Sequence, residues 1–239
     1  MTSLQARDRL IVALDLPTVA AARTLVERLG PAVSFYKVGF ELVMEGGLDL
    51  ARELARSGKR VFLDLKLLDI ENTVERATRN AAAAGAAFLT VHAQDAKTLR
   101  AAAAGKAGSD LKVLGVTVLT NLDGADLRQQ GIEAPPEAVV VRRAALAREA
   151  GCDGVVASGL EAGRLRGLLG PDMLIVTPGI RMAGGAAGDQ ARVATPEAAI
   201  AAGADYLVVG RPIAAAPDPR AAAEALVQAI GAGLARRSV

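Results

Sequence analysis

Short runs dense in Val, Ile, Leu and Ala recur along the chain, separated by alanine-rich segments whose apolar residues return at helical spacing. The runs cover residues 9–15, 34–39, 60–66, 87–93, 112–119, 153–158, 173–179 and 205–211. They are nearly continuous in apolar residues and do not alternate with polar ones, as expected of parallel strands covered on both faces. The segments between them predict helices over 18–29, 48–57, 72–84, 94–106, 135–150, 159–168, 195–203 and 219–236. Several ends are signalled: Thr195-Pro196-Glu197 reads as N-cap, first helical residue and first-turn acid, and Gly30, Gly85, Gly151 and Gly203 sit where C-caps belong.

Eight strands alternating with eight helices predict an α/β fold of the TIM (β/α)8-barrel kind. A doubly wound open sheet is the alternative, because periodicity carries no sign of closure. A βα unit with its connection takes about 30 residues, so eight units fill the 239-residue chain as a single domain, 1–239. Two loops that follow strands are longer than the rest, 120–134 and 178–194. Long loops in a compact domain commonly bind ligands or act as lids, plain surface being the other reading. The second loop is glycine-rich and carries Arg181 and Gln190.

Composition narrows the chemistry. Basic and acidic residues number 28 and 26, for a net charge of +2, and the basic ones are scattered, which argues against a nucleic-acid partner. Cys152 is the only cysteine, which excludes an intramolecular disulfide or a multi-cysteine metal site and fits a reducing cytosol. His92 is the only histidine, which removes the common His-rich zinc and iron sites. No apolar run nears the roughly 20 residues that cross a bilayer, and Asp15 breaks the first apolar stretch before it can serve as a signal core, so no membrane association and a cytoplasmic location are expected.

A barrel of this kind builds its site at the C-terminal ends of the strands. The polar residues there are Asp15, Lys37, Asp64, Lys66, His92, Thr120 and Arg211. Charges in an apolar barrel are costly unless paired, so Asp15, Lys37, Asp64 and Lys66 are expected to share one polar mouth. Asp64 and Lys66 stand two apart, on one side of a regular strand, with Asp69 just beyond. The array also fits a plain ion-pair network closing the barrel. Gly210 and Arg211 end the last strand where barrels often cradle a phosphate, and Gln190 and Arg181 can converge on the same corner. His92 reads as a packing residue or a general base, and Thr120 as a hydrogen-bonding partner for a heterocycle or a loop cap.

At these residues the sequence resembles the orotidine 5'-phosphate decarboxylases over essentially its whole length. The matching segments are VALDLP around Asp15, YKVG around Lys37, LDLKLLDIENT from Leu63 to Thr73, VTVLTN, VTPGIR, GDQ at 188–190 and VGRP at 209–212. The DxKxxD element alone is shared with a wider group that includes a magnesium-dependent keto-gulonate phosphate decarboxylase and a hexulose phosphate synthase. The PGIR, GDQ and LTN segments look like the orotidine branch. Glu71 replaces the proline usual in DIPNT, and Asn121 stands where a serine is common.

The resemblance implies a cofactor-independent carboxy-lyase that converts orotidine 5'-phosphate to UMP and CO2, the last step of de novo pyrimidine nucleotide synthesis. By position it implies that Lys66 gives a proton to C6 of the pyrimidine, Asp64 lies against the substrate carboxylate, and Lys37 holds the charge network and the ribose. Asp69, with Ile70 and Thr73, is expected to reach into a second subunit, making a homodimer with shared sites. Asp15 is assigned to ribose hydroxyls, Thr120 to the base, and Arg181, Gln190, Gly210 and Arg211 to the phosphate, with no metal. A magnesium-dependent sugar-phosphate enzyme and a non-catalytic nucleotide-binding protein are the competing readings.

Overall fold

Eight parallel strands close into a barrel in the order of the chain, β1-β2-β3-β4-β5-β6-β7-β8. The structure is a computed structural model and describes residues 5–182 and 194–237. The strands are β1 Leu10–Ala13, β2 Phe35–Gly39, β3 Arg60–Leu67, β4 Phe88–His92, β5 Lys112–Val116, β6 Gly154–Val156, β7 Leu174–Thr177 and β8 Tyr206–Val209. Pairing of β1 with β8, Leu10 opposite Leu207 and Val12 opposite Val209, closes the ring and rules out the open sheet. Each strand falls on its predicted run, β3 passing the predicted end by one residue, Leu67, while others, β5 and β7 among them, stop short of theirs. The apolar residues beyond β5 and β7, including Val118, Leu119, Pro178 and Gly179, line a cavity at the barrel mouth.

The eight predicted helices appear as α1 Val19–Leu29, α3 Gly47–Arg56, α4 Glu71–Ala83, α5 Ala96–Gly105, α7 Pro136–Glu149, α8 Ala162–Leu169, α9 Pro196–Ala202 and α11 Pro219–Arg237. Among the described residues three short α-helices add to them, α2 Phe40–Met44, α6 Gly124–Gln129 and α10 Arg211–Ala214, with 3-10 turns at Ala6–Arg9 and Gly30–Ala32. The first of the two long loops therefore holds a helix. Asp123 starts α6 by accepting from the N–H groups of Ala125 and Asp126, while Asp126 accepts from the N–H of Asp123.

The end signals act as expected: the Thr195 hydroxyl accepts from the N–H of Ala198, and Gly30, Gly85, Gly151 and Gly203 have φ of 52°, 81°, 84° and 121°. Among the described residues no helix is long and apolar enough to cross a membrane.

Apolar residues form two clusters. The larger joins the outer face of the strands to the helices and includes Val12, Val38, Leu63, Leu99, Val140 and Leu207. The smaller fills the barrel and includes Ile11, Phe35, Phe62, Phe88, Leu114, Val176 and Tyr206. Four of the six aromatic residues of the chain lie in this second cluster. Their rings meet edge to face with centroids 5.0–5.9 Å apart, the arrangement favoured by the ring quadrupole. The guanidinium of Arg60, at the start of β3, lies 4.1 Å from the centre of the Phe35 ring. The N-terminal end of the barrel is thus packed solid, and polar chemistry is left to the other end.

Candidate active site

In two adjacent strands the residues that face the barrel interior change from apolar to charged towards the C-terminal end. In β2 Phe35 gives way to Lys37, and in β3 Phe62 gives way to Asp64. At that end lies a cavity of about 760 Å3 whose apolar floor includes Ala13, Phe62, Val156 and Val208. Asp15, Lys37, Asp64, Lys66, Thr120, Arg181, Gly210 and Arg211 all line it. Eight of the expected site residues thus meet in one place.

Four of them form an unbroken chain of alternating charge. Lys37 Nζ donates to Asp15 Oδ1 at 2.8 Å and stands 3.3 Å from Asp64 Oδ2, which lies 2.8 Å from Lys66 Nζ. Lys37 is buried and Asp64 nearly so, whereas Asp15 is half-exposed. Burial works against the charge on Lys37, but the facing carboxylates of Asp64 and Asp15 outweigh it and raise the ammonium above its ordinary value. Burial likewise works against ionised Asp64, yet Lys37 and Lys66, with hydrogen bonds from Lys66 and Thr90, hold its carboxyl below the usual range. Lys37 and Asp64 therefore carry their charges at neutral pH.

Two features of this chain of contacts were not legible in the residue pattern. Gly39 lines the cavity at the end of β2, and a β-carbon there would lie 3.0 Å from both Asp15 Oδ1 and Lys37 Nζ. The missing side chain makes room for the pair. Secondly, Asp64 and Lys66 do not reach the cavity by regular alternation. The register of β3 against β4 shifts between Leu63 and Leu67, and Lys66, with φ of 44°, is the only non-glycine residue at positive φ among those described. A bulge re-aims the lysine. Phe40, at the start of α2, places its ring 5.8 Å from Lys66 Nζ and was likewise not anticipated.

At the opposite rim Arg181 and Arg211 bring two guanidinium groups to the cavity. Burial, and then the charge of Arg211, lower the Arg181 guanidinium from its ordinary value. Two like charges held towards one space suit a polyanion. Gln190 lies outside the described residues, as does most of the glycine-rich loop. Asp69, Ile70 and Thr73 are exposed and do not line this cavity. Asp69 Oδ1 accepts from the N–H of Ile70 at 2.6 Å.

His92 is half-buried at the end of β4, outside the cavity lining. Burial, then the charges of Lys66 and Arg143, push its imidazole down, so it is neutral at pH 7. Cys152 is buried and its thiol is pushed up to about 12, chiefly by burial, which leaves it a core residue. Among the described residues no group of three or more His, Cys, Asp or Glu side chains is placed to hold a metal ion.

A profile of the Orotidine 5'-phosphate decarboxylase / HUMPS family matches residues 8–226. The chain belongs to this family. A protein of Methylorubrum extorquens (strain PA1) named orotidine 5'-phosphate decarboxylase is 58% identical over 225 residues, 94% of this chain and 96% of its own length. One of the same name from Rhodopseudomonas palustris (strain BisA53) is 55% identical over 227 residues, 95% of this chain and 96% of its own. The crystal structure of orotidine 5'-phosphate decarboxylase from Lactobacillus acidophilus superposes with a TM-score of 0.82 at 38% identity, covering 92% of this chain and 98% of that one. The likeness to orotidine 5'-phosphate decarboxylases therefore spans the strands that carry the cavity as well as the scaffold around them.

Proposed function

We infer that this chain decarboxylates orotidine 5'-phosphate to UMP and carbon dioxide, the last step of de novo pyrimidine nucleotide synthesis, as one catalytic barrel domain in the cytoplasm. The observation that carries this reading is the Asp15, Lys37, Asp64, Lys66 chain of contacts in the cavity of a member of that family. Breaking the bond from C6 to the carboxylate leaves its electron pair in an sp2 orbital in the ring plane, out of conjugation with the π system. No electron sink of the pyridoxal or thiamine kind is attached. The barrier is then lowered electrostatically, without a cofactor.

Lys66 is the group suited to that task. Its ammonium faces the place where negative charge develops, above a floor of apolar side chains where such a charge acts more strongly than in water. Once carbon dioxide has left, a proton passes from Lys66 Nζ to C6, and the lysine recovers one from solvent. Asp64 sits against the substrate carboxylate and holds the Lys66 ammonium in place. The repulsion between the two carboxylates falls as carbon dioxide departs. Lys37 links this pair to Asp15 at the ribose, and Thr120 meets the base. Arg181, Gln190, Gly210 and Arg211 bind the phosphate, which does not react but supplies remote binding energy for orientation and desolvation at the ring.

The exposed Asp69, Ile70 and Thr73 complete the site of a second subunit in this reading, so the working enzyme is a homodimer. Support comes from their exposure beside Leu68 and from Phe40 and Met44 on α2, all large apolar side chains in water in the single chain. The family name also covers sugar-phosphate chemistry, and the experiment separates the two. Purified protein mixed with orotidine 5'-phosphate is expected to show the fall in ultraviolet absorbance that accompanies loss of the carboxylate, unchanged by EDTA. No turnover defeats the assignment, and activity lost to EDTA and restored by magnesium favours the metal-dependent branch.

A further inference from the structure

β3 departs from a regular strand where its chemistry lies. Leu63 pairs with Leu89 and Leu67 with Val91, so Asp64, Leu65 and Lys66 together span the interval that Thr90 alone fills in β4. The surplus is absorbed at Lys66, whose φ of 44° costs a side-chain-bearing residue roughly 1 kcal/mol. A strained backbone persists only where its surroundings over-determine it. Thr90 supplies that constraint. It is fully buried, and its single hydroxyl accepts from the N–H of Lys66 at 2.9 Å and donates to Asp64 Oδ1 at 2.9 Å.

The bridge acts on both charged groups. Through the amide it holds the left-handed turn that carries the Lys66 side chain into the cavity. Through Oδ1 it fixes the rotation of the Asp64 carboxylate and leaves Oδ2 to both ammonium groups, 2.8 Å from Lys66 Nζ and 3.3 Å from Lys37 Nζ. Thr90 does not line the cavity itself. We propose that Thr90 is a positioning residue for the decarboxylation: one buried hydroxyl bridges the Lys66 backbone and the Asp64 carboxylate and so sets the place of the ammonium at the reacting carbon. The proposal rests on the functional reading above.

The groups assigned to phosphate and ribose stand on β1, β2, β7 and β8 or just beyond them, so Thr90 is expected to govern the chemical step and not substrate capture. Thr90→Val keeps the shape and removes the hydroxyl. A misplacement of reacting groups by about 1 Å costs on the order of 100-fold in rate, and a fall of that order in kcat with little change in KM is the expected result. Thr90→Ser keeps both hydrogen bonds and is expected to retain most of the turnover. Exchange of the Lys66 amide hydrogen is expected to quicken in Thr90→Val but not in Thr90→Ser. Thr90→Ala removes the same hydroxyl without setting a methyl group against the carboxylate, and carries the test should Thr90→Val not fold.

Folded Val or Ala variants with wild-type kcat, or a Ser variant as slow as the Val variant, overturn the proposal alone. A wild-type chain that leaves orotidine 5'-phosphate untouched overturns the functional reading and the proposal with it.

Discussion

At the scale of single residues the decisive fact is that Lys37 and Asp64, buried at the polar end of an apolar barrel, are kept ionised by the charges that face them. Because Asp64 is held below its ordinary value, its share of stability is present above that value and lost as pH falls through the lower, folded one. Lys37 is raised, so its share is present below its ordinary value and lost as pH rises through the higher, folded one. His92 is lowered, so its share too is lost on the acid side, beginning below its ordinary range. A melting temperature flat between about pH 7 and 9, falling first below about pH 6, is the expected profile in thermal denaturation. Lys66→Ala is expected to cut turnover by at least about 1000-fold, since it removes both a charge and a proton donor. The comparison requires circular dichroism to show the variant folded, because breaking a buried pair can cost about 3 to 5 kcal/mol. Gly39→Ala is expected to lower turnover by pushing apart Lys37 and Asp15, read as a loss of kcat in a protein that still melts cooperatively. The charged residues were legible because charge at the top of an apolar strand demands a partner. Gly39 and Thr90 were not, because one acts by an absent atom and the other through a bulge that no residue count shows.

At the scale of elements the strands share a joining device at the opposite end of the barrel. Asp153, just before β6, accepts from the N–H of Val113 in β5 at 2.8 Å while its own N–H donates to the Val113 carbonyl at 2.9 Å. Asp205, just before β8, repeats the pattern with Ile175 in β7, at 2.9 Å and 2.8 Å. Each draws cations to itself, Lys106 and Lys112 in the first case and Arg166 and Arg237 in the second. These carboxylates extend the ladder by one side-chain rung and seat α5 and α8 against it. Asp205→Ala leaves Arg166 largely buried without its ion-pair partner, and a loss of about 3 kcal/mol is expected from denaturant unfolding. Turnover well below the melting temperature is expected to hold, since the residue lies far from the cavity. Element order and type were readable from apolar runs and caps, which are local. The short α2 and α10 were not, as each is a single turn fixed by its strand end, whereas the Asp123 and Asp126 capping pair gave a signal for α6 that the length of its loop obscured.

At the scale of the whole molecule the barrel is open at one end and stopped at the other. Asp69, Ile70 and Thr73 are exposed and do not line the cavity of their own chain, so the proposed dimer makes a definite prediction. Mixed Lys66→Ala and Asp69→Ala subunits, each inactive alone, are expected to regain activity as they exchange, with one intact site in each mixed pair. Confirmed exchange without recovery places Asp69 in its own chain's chemistry. Closure of the barrel itself could not be read from periodicity, since an open sheet has the same alternation of elements; it rests on the pairing of β1 with β8. The interlocked rings of Phe35, Phe62, Phe88 and Tyr206 have a further effect on traffic through the enzyme. Among the described residues they plug the barrel beneath the cavity, so in the proposed reaction the gas released at the pyrimidine ring is expected to escape past the nucleotide, through the doorway by which the substrate came in.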